Sequence, residues 1–181
     1  MTNNNTNKIN NNKINSNKVN INKINKNKYN NEKRYVFFIF TSIFLLFIDL
    51  FLKSFTKNIN NYIIRPVKNY GISLGILNKY PLIISILSII FLSYMIYIFL
   101  KNREIIFKNK ILFISSILIF SGAVSNTFDR IFLGYVRDYI YMYFFVNNLA
   151  DIYISVAILL FFIFYKSKEN KFKENKSIKK G

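Results

Sequence analysis

The sequence predicts a mainly α membrane protein: four transmembrane helices, with a small extracytoplasmic β segment between spans 1 and 2. Two observations carry that expectation. Apolar residues make up 52% of the 181-residue chain, and they fall in four long blocks instead of the mixed patterns of a soluble core. Each block approaches the roughly 20 residues a helix needs to cross a hydrocarbon layer about 30 Å thick. The Lys and Arg residues behind the net charge of +18 mostly flank those blocks. That placement reads as a topology signal with an affinity for membrane lipids, not as a nucleic-acid surface.

Residues 1–34 form a cytoplasmic tail. Within it a pentapeptide repeat places Lys at 8, 13, 18, 23, 28 and 33. Period five fits neither helix nor strand, and so few large apolar groups cannot offset the entropy of ordering, so the tail is expected to be disordered. The alternative reading is a polybasic tether to anionic headgroups. The membrane domain, residues 35–165, starts with span 1 at 35–55. Span 1 follows a basic flank as a signal peptide does, but it lacks a small-residue cleavage site and further spans follow, so it is expected to stay as an anchor. Residues 56–80 are polar and punctuated by Pro66, Gly71 and Gly75, which suggests short strands and turns outside the bilayer. Span 2 covers 81–100, a basic link leads to span 3 at 111–128, span 4 covers 147–165, and residues 166–181 form a Lys-rich, frayed cytoplasmic tail.

Lys and Arg orient the bundle. Residues 1–34 hold eight, 101–110 hold four and 166–181 hold seven, against four in 56–80, so both termini are expected on the cytoplasmic side. Spans 1 and 3 then rise outward and span 4 descends. At 1.5 Å per residue, Asp129 lies about 27 Å above Ile111 and Asp151 about 21 Å above Tyr165. All four aspartates of the chain converge on the outer leaflet. Tyr135, Tyr139, Tyr141 and Tyr143 alternate around Asp138 as an interfacial aromatic ribbon would.

The chain has no Cys and no His, which excludes disulfides, thiolate nucleophiles, Cys/His zinc sites, Ser-His-Asp triads and imidazole shuttles. Acid/base chemistry falls to the carboxylates, and ionisable groups within membrane spans ask for a task. Asp49 and Lys53 have the i, i+4 spacing of a structural ion pair. Asp129 is placed to balance Lys53 or Arg130, and Arg130 offers a planar donor fork to a carbonyl or carboxylate. Asp138 and Asp151 sit on separate segments that a span 3 to span 4 hairpin brings face to face, with no cation at i±4. Arg137 points away in an extended strand. Two such carboxyls in a partly dry site hold one proton between them and can act on water. Asn126 and Asn148 are positioned to orient them or to stabilise an oxyanion. On these residues alone two further readings stay open: a proton- or cation-coupled transporter or assembly factor using the aspartates as a relay, and a Ser/Lys protease with Ser73 activated by Lys68 or Lys53.

Five blocks in order sharpen the choice: D-x-x-x-K at Asp49 and Lys53; N-x-G-x-S-x-G at Asn69, Gly71, Ser73 and Gly75; G-A-x-x-N-x-x-D-R from Gly122 to Arg130; V-x-D at Val136 and Asp138; and N-x-A-D at Asn148, Ala150 and Asp151. Over residues 35–165 the chain resembles the lipoprotein signal peptidases, the type II signal peptidases of bacteria. It departs from their usual pattern at Leu50, Leu74, Ser125 and Asn147, where Gln, an aromatic residue, Gly and Phe are customary. The resemblance implies an aspartyl endopeptidase without metal or other cofactor, in the bacterial cytoplasmic (inner) membrane. Such an enzyme removes signal peptides from lipid-modified prolipoproteins, cutting before the diacylglyceryl-modified cysteine. It also implies Asp138 and Asp151 as the catalytic pair, Asn69, Asn126, Arg130 and Asn148 near substrate, and Asp49, Lys53, Gly71 and Asp129 as supporting residues. The extracytoplasmic segment would cradle the substrate beside the helices, and the expected state is a monomer.

Overall fold

The structure, a computed structural model, describes residues 29, 31–71 and 78–178, with residues 165 and 167–178 described by backbone alone. The repeat through residue 28, with the disorder expected of it, lies outside the described residues. So do Ser73, Leu74 and Gly75 of the second block. Residues 1–39 and 40–181 form two units. The first contributes the opening turns of helix α1, and the second holds the rest of α1 and every other element below.

Helix α1 (Asn31–Asn58) closes on a 3-10 turn at Thr56–Asn58. Its two faces differ sharply. Phe47, Phe51 and Phe55 stack at i, i+4 on an exposed stripe, whereas Asp49 and Lys53 are buried. Strand β1 (Ile64–Asn69) follows, then helix α2 (Pro81–Lys108). Pro81 opens α2 at a position whose missing N–H has no partner to lose. The helix runs straight through most of the basic link, and the break before α3 is Asn109 alone. That side chain caps helix α3 (Lys110–Leu133) by accepting from the Ile111 and Leu112 N–H groups at 2.9 and 3.1 Å, so one residue suffices to turn the chain. At the far end Gly134, at φ 77°, stops α3 with its N–H on Arg130 O, a left-handed conformation that suits glycine.

Helix α4 (Leu149–Ile178) is apolar over Leu149–Phe164. The other three helices are each long and apolar enough to cross a membrane, and together the four helices make this a mainly α, multi-pass membrane protein. Helical backbone continues to Ile178, through the basic segment expected to fray. Lys and Glu are good helix formers.

Helix α3 is the inner element: half of its most apolar window is buried, against 11% for α2. Its packed face is small and polar, with Ser121, Gly122, Ala123, Ser125 and Asn126 all buried. Small residues let helix backbones approach closely. A Cβ on Gly122 would meet Ala150 O at 2.5 Å and Ile154 Cγ1 at 2.8 Å, so glycine sets how closely α4 packs on α3.

The sheet is composite. Residues 56–80 supply β1, which pairs antiparallel with β2 (Val136–Met142), and β2 pairs antiparallel with β3 (Phe145–Asn147), giving the order β1-β2-β3. A strand alone leaves its backbone groups unpaired, and the aromatic ribbon between α3 and α4 provides the partner. The β segment expected between spans 1 and 2 is therefore one strand of a sheet completed from the connection between α3 and α4.

Candidate functional site

Two elements deliver the acids. Asp138 lies at the middle of β2, opposite Val67 of β1. Asp151 lies in the first turn of α4, and its position is set by a reciprocal cap: the Asp151 N–H donates to Asn148 Oδ1 (3.0 Å), and the Asn148 N–H donates to Asp151 Oδ2 (3.3 Å). This is the capping-box arrangement, with the acid at the third helical position. The asparagine's side-chain amide also donates to Asp138 Oδ1 at 2.7 Å. Asn148 thus holds both carboxyls and is itself fully buried.

Each acid has one more amide donor. Asn69 Nδ2 donates to Asp138 Oδ2 at 2.9 Å, and the Gly71 N–H fixes the orientation of that amide by donating to Asn69 Oδ1 at 3.0 Å. Asn126 Nδ2 donates to Asp151 Oδ1 at 2.8 Å. The three asparagines expected beside substrate therefore direct their amides at the acids. Arg130 lines the same cleft; one Nη donates to Gly71 O at 3.2 Å, and the buried Nε has no hydrogen-bond partner among the described residues.

Behind the amides lies a buried ionic cluster. Lys53 Nζ is 2.8 Å from Asp49 Oδ2, 3.3 Å from Asp129 Oδ2, 3.0 Å from Asn126 Oδ1 and 3.1 Å from Ser125 Oγ. Asp49 also accepts from the Ser125 hydroxyl and, at 3.0 Å, from the Ala150 N–H. Asp129 accepts from Arg137 through both the backbone N–H (3.1 Å) and the guanidinium, whose Nη2 comes to 2.7 Å. The partner of Asp129 besides Lys53 is therefore Arg137, not the adjacent Arg130. Strand alternation turns Arg137 to the face opposite Asp138, toward the end of α3, where Asp129 waits.

Sequence reasoning did not assign roles to Ser125 and Arg137. The parity of the strand was a sufficient signal for Arg137. For Ser125 the signal was its place one residue before Asn126, on a face that packs against Asp49.

The four aspartates fall into two electrostatic classes. Asp49 and Asp129 are neutralised by cations, whereas among the described residues Asp138 and Asp151 form no ion pair and accept only amide hydrogens. Both line one cleft of about 680 Å³ between α2, α3, the sheet and the start of α4. Burial pushes the Asp138 carboxyl up to about 6. The Asn69 amide opposes that, the nearby Asp151 adds to it, and the Asn148 amide and Lys53 oppose it further. A carboxyl with such a value can hold a proton near neutrality while a second carboxylate acts as base.

Known proteins are similar to this chain in sequence and fold. The signal peptidase (SPase) II family matches residues 41–166. A lipoprotein signal peptidase of Wigglesworthia glossinidia brevipalpis is 35% identical over 139 residues, 67% of this chain and 88% of the relative. One from Fusobacterium nucleatum is 33% identical over 101 residues, covering 54% of this chain and 59% of the relative's length. A solved bacterial membrane enzyme superposes with a TM-score of 0.65 at 25% identity, over 75% of this chain and 92% of its own. A second, at 24% identity and a TM-score of 0.60, shares the fold. With the match running from the middle of α1 to the end of the apolar part of α4, and every element of the site inside it, this chain belongs to the signal peptidase II family.

Proposed function

We propose that this protein removes signal peptides from bacterial prolipoproteins, cutting on the amino side of the diacylglyceryl-modified cysteine, and that it does so as an aspartyl endopeptidase with Asp138 and Asp151 as its catalytic pair. The observation that carries this reading is the pairing itself: two carboxyls without counter-ions among the described residues, held by one asparagine, on the wall of one cleft. Family membership supports the substrate class.

Asp138, raised by burial, holds the shared proton, and Asp151 is the base. Asp151 takes a proton from water as the water oxygen bonds to the scissile carbonyl carbon, while Asp138 gives its proton to the carbonyl oxygen. The product is a neutral gem-diol, with Asp151 now protonated and Asp138 ionised. Collapse breaks the C–N bond: Asp151 protonates the departing nitrogen, and Asp138 recovers a proton from a diol hydroxyl. Both acids return to their starting states, and one water has been consumed. Arg130, which lines the cleft, is the residue available to hold a substrate carbonyl. Asn69, Asn126 and Asn148 lie close enough to contact substrate while fixing the acids.

The protein works in this reading as a monomer in the cytoplasmic membrane, with both termini in the cytoplasm and the cleft near the outer face. Membrane lipids surround it, and lipid chains of the substrate approach between the spans. An assay of purified protein on a diacylglyceryl-modified prolipoprotein tests the proposal. Asp138→Asn and Asp151→Asn should each lower kcat by at least about 10²- to 10⁴-fold, the usual worth of acid–base catalysis, with insertion and folding retained. Near wild-type cleavage by either variant overturns the assignment.

A further inference from the structure

Strand β3 meets the cleft in an unusual way. Phe145, Val146 and Asn147 are consecutive, and all three line it. Successive side chains of a strand point to opposite faces, so a strand that presents a face contributes alternate residues, as β2 does with Val136 and Asp138. Three in a row mean that the cleft runs along the edge of β3.

Register identifies the backbone groups on that edge. The Tyr141 N–H donates to Ile63 O at 2.8 Å, on the β1 side of β2. Tyr141 stands opposite Val146. In antiparallel pairs a residue's N–H and C=O point to the same neighbour, and opposed residues alternate between bonded and non-bonded pairs. Tyr141 and Val146 are therefore a non-bonded pair, and the N–H and C=O of Val146 point away from β2, toward the cleft. Phe145 and Asn147 turn theirs to β2. The hairpin agrees: Met142 pairs with Phe145 around Tyr143 and Phe144, and Tyr143 has φ 49°, the sign a tight two-residue turn requires at that position.

A strand edge with a free donor and acceptor is a template for an added strand. Here the Val146 groups lie two residues before Asn148, the residue that holds both acids. At about 3.3 Å per residue, a chain lying extended along β3 travels about 7 Å from Val146 to Asn148. We propose that Val146 is a backbone docking point for the substrate: an extended residue of the prolipoprotein, about two residues from the scissile bond, exchanges a pair of N–H···O=C hydrogen bonds with Val146 and is added to the sheet as a short fourth strand. The contact reads backbone, so it aligns the peptide with the acids whatever the side chain there. This inference rests on the peptidase reading above.

The test uses full-length protein and synthetic diacylglyceryl lipopeptides. Val146→Pro deletes the N–H aimed at the cleft and leaves the β2–β3 ladder intact, since that N–H is not part of it. Val146→Ala keeps it. One lost hydrogen bond predicts a rise in KM of about 3- to 10-fold for Val146→Pro with kcat within about twofold, and a near wild-type Val146→Ala. On wild-type protein, N-methylation scanned along the lipopeptide should raise KM at one position about two residues from the cut, the residue whose N–H donates to Val146 O, and because proline keeps that carbonyl the same penalty should persist in Val146→Pro. Equal KM for the two variants, or no sensitive position in the scan, overturns the docking point. The scan needs no variant, so misfolding of Val146→Pro leaves it decisive. Absence of any cleavage by wild-type protein would instead sink the peptidase reading.

Discussion

Replacing Lys53 by Met removes the charge at the centre of the buried cluster while keeping the length of the side chain. Four acceptors surround its ammonium within 3.3 Å, and neither Lys53 nor Asp49 has a solvent-exposed side chain. Asp129 keeps Arg137 after the change, at 2.7 Å. Among the described residues Asp49 keeps two neutral donors, the Ala150 N–H and the Ser125 hydroxyl. One buried charge is stranded, and breaking a buried pair in this way costs about 3–5 kcal/mol. Only one of the two acids loses its cation, which favours the lower end.

A second effect falls on the site. Lys53 holds Asn126 Oδ1, and that contact is what turns the amide Nδ2 to Asp151. Without it the amide can present its oxygen to the carboxylate. The double variant Lys53→Met/Asp49→Asn separates the two effects: it restores charge balance, so thermal unfolding in detergent should recover most of the lost stability, while kcat on a lipidated substrate stays depressed by about tenfold or more, on the scale of losing an outer-shell hydrogen bond to a catalytic ligand. Full recovery of kcat in the double variant would refute a positioning role for Lys53. Unfolding of Lys53→Met within about 1 kcal/mol of wild type would refute the stranded charge.

Two further outcomes follow from the geometry. Gly122→Ala puts a methyl group 2.5 Å from Ala150 O; overpacking of this kind costs about 1–3 kcal/mol, and because Ala150 precedes Asp151, a fall in kcat should accompany the loss of thermal stability. The basic limb of kcat/KM should lie near pH 6, where Asp138 loses its proton. Asn69→Ala deletes a donor that favours the ionised form, so the value rises and the limb moves to higher pH; a limb that stays or moves down contradicts Asp138 as the proton holder, read as a property of the coupled pair.

The helices were legible because bilayer thickness imposes their length on sequence, and Asn109 as a cap accounts for why the link between α2 and α3 shrank to one residue. Which strand pairs with which was not legible, since β1 and β2 are separated by two spans and pairing over that distance leaves no local mark. The acids were visible as charges in apolar surroundings. Their partners were less so. N-x-A-D has the Ncap-to-N3 spacing of a capping box, readable at Asn148 and Asp151, but that the same amide reaches Asp138 depends on the β2–β3 hairpin. Ser125 stood out only as a departure from a usual glycine, and its hydroxyl joins Asp49 to Lys53 because α1 packs at that height on α3.

The placement of Asn126 explains how one site can hold a buried lysine beside the two carboxyls proposed as catalytic. A direct Lys53–Asp151 bridge would neutralise the proposed base and occupy the oxygen that, in that proposal, accepts a proton from water. With Asn126 between them, the ammonium binds the amide oxygen and the amide nitrogen binds the carboxylate. Orientation passes through the amide, while the charge of Lys53 acts on the acids only across space and forms no ion pair with either. Lys53 is meanwhile balanced by Asp49 and Asp129, and the second of these is balanced again by Arg137. The cluster is satisfied without Asp138 or Asp151, and among the described residues those two carboxyls are held by hydrogen bonds with no ion pair, as the proposed exchange of a proton between them requires.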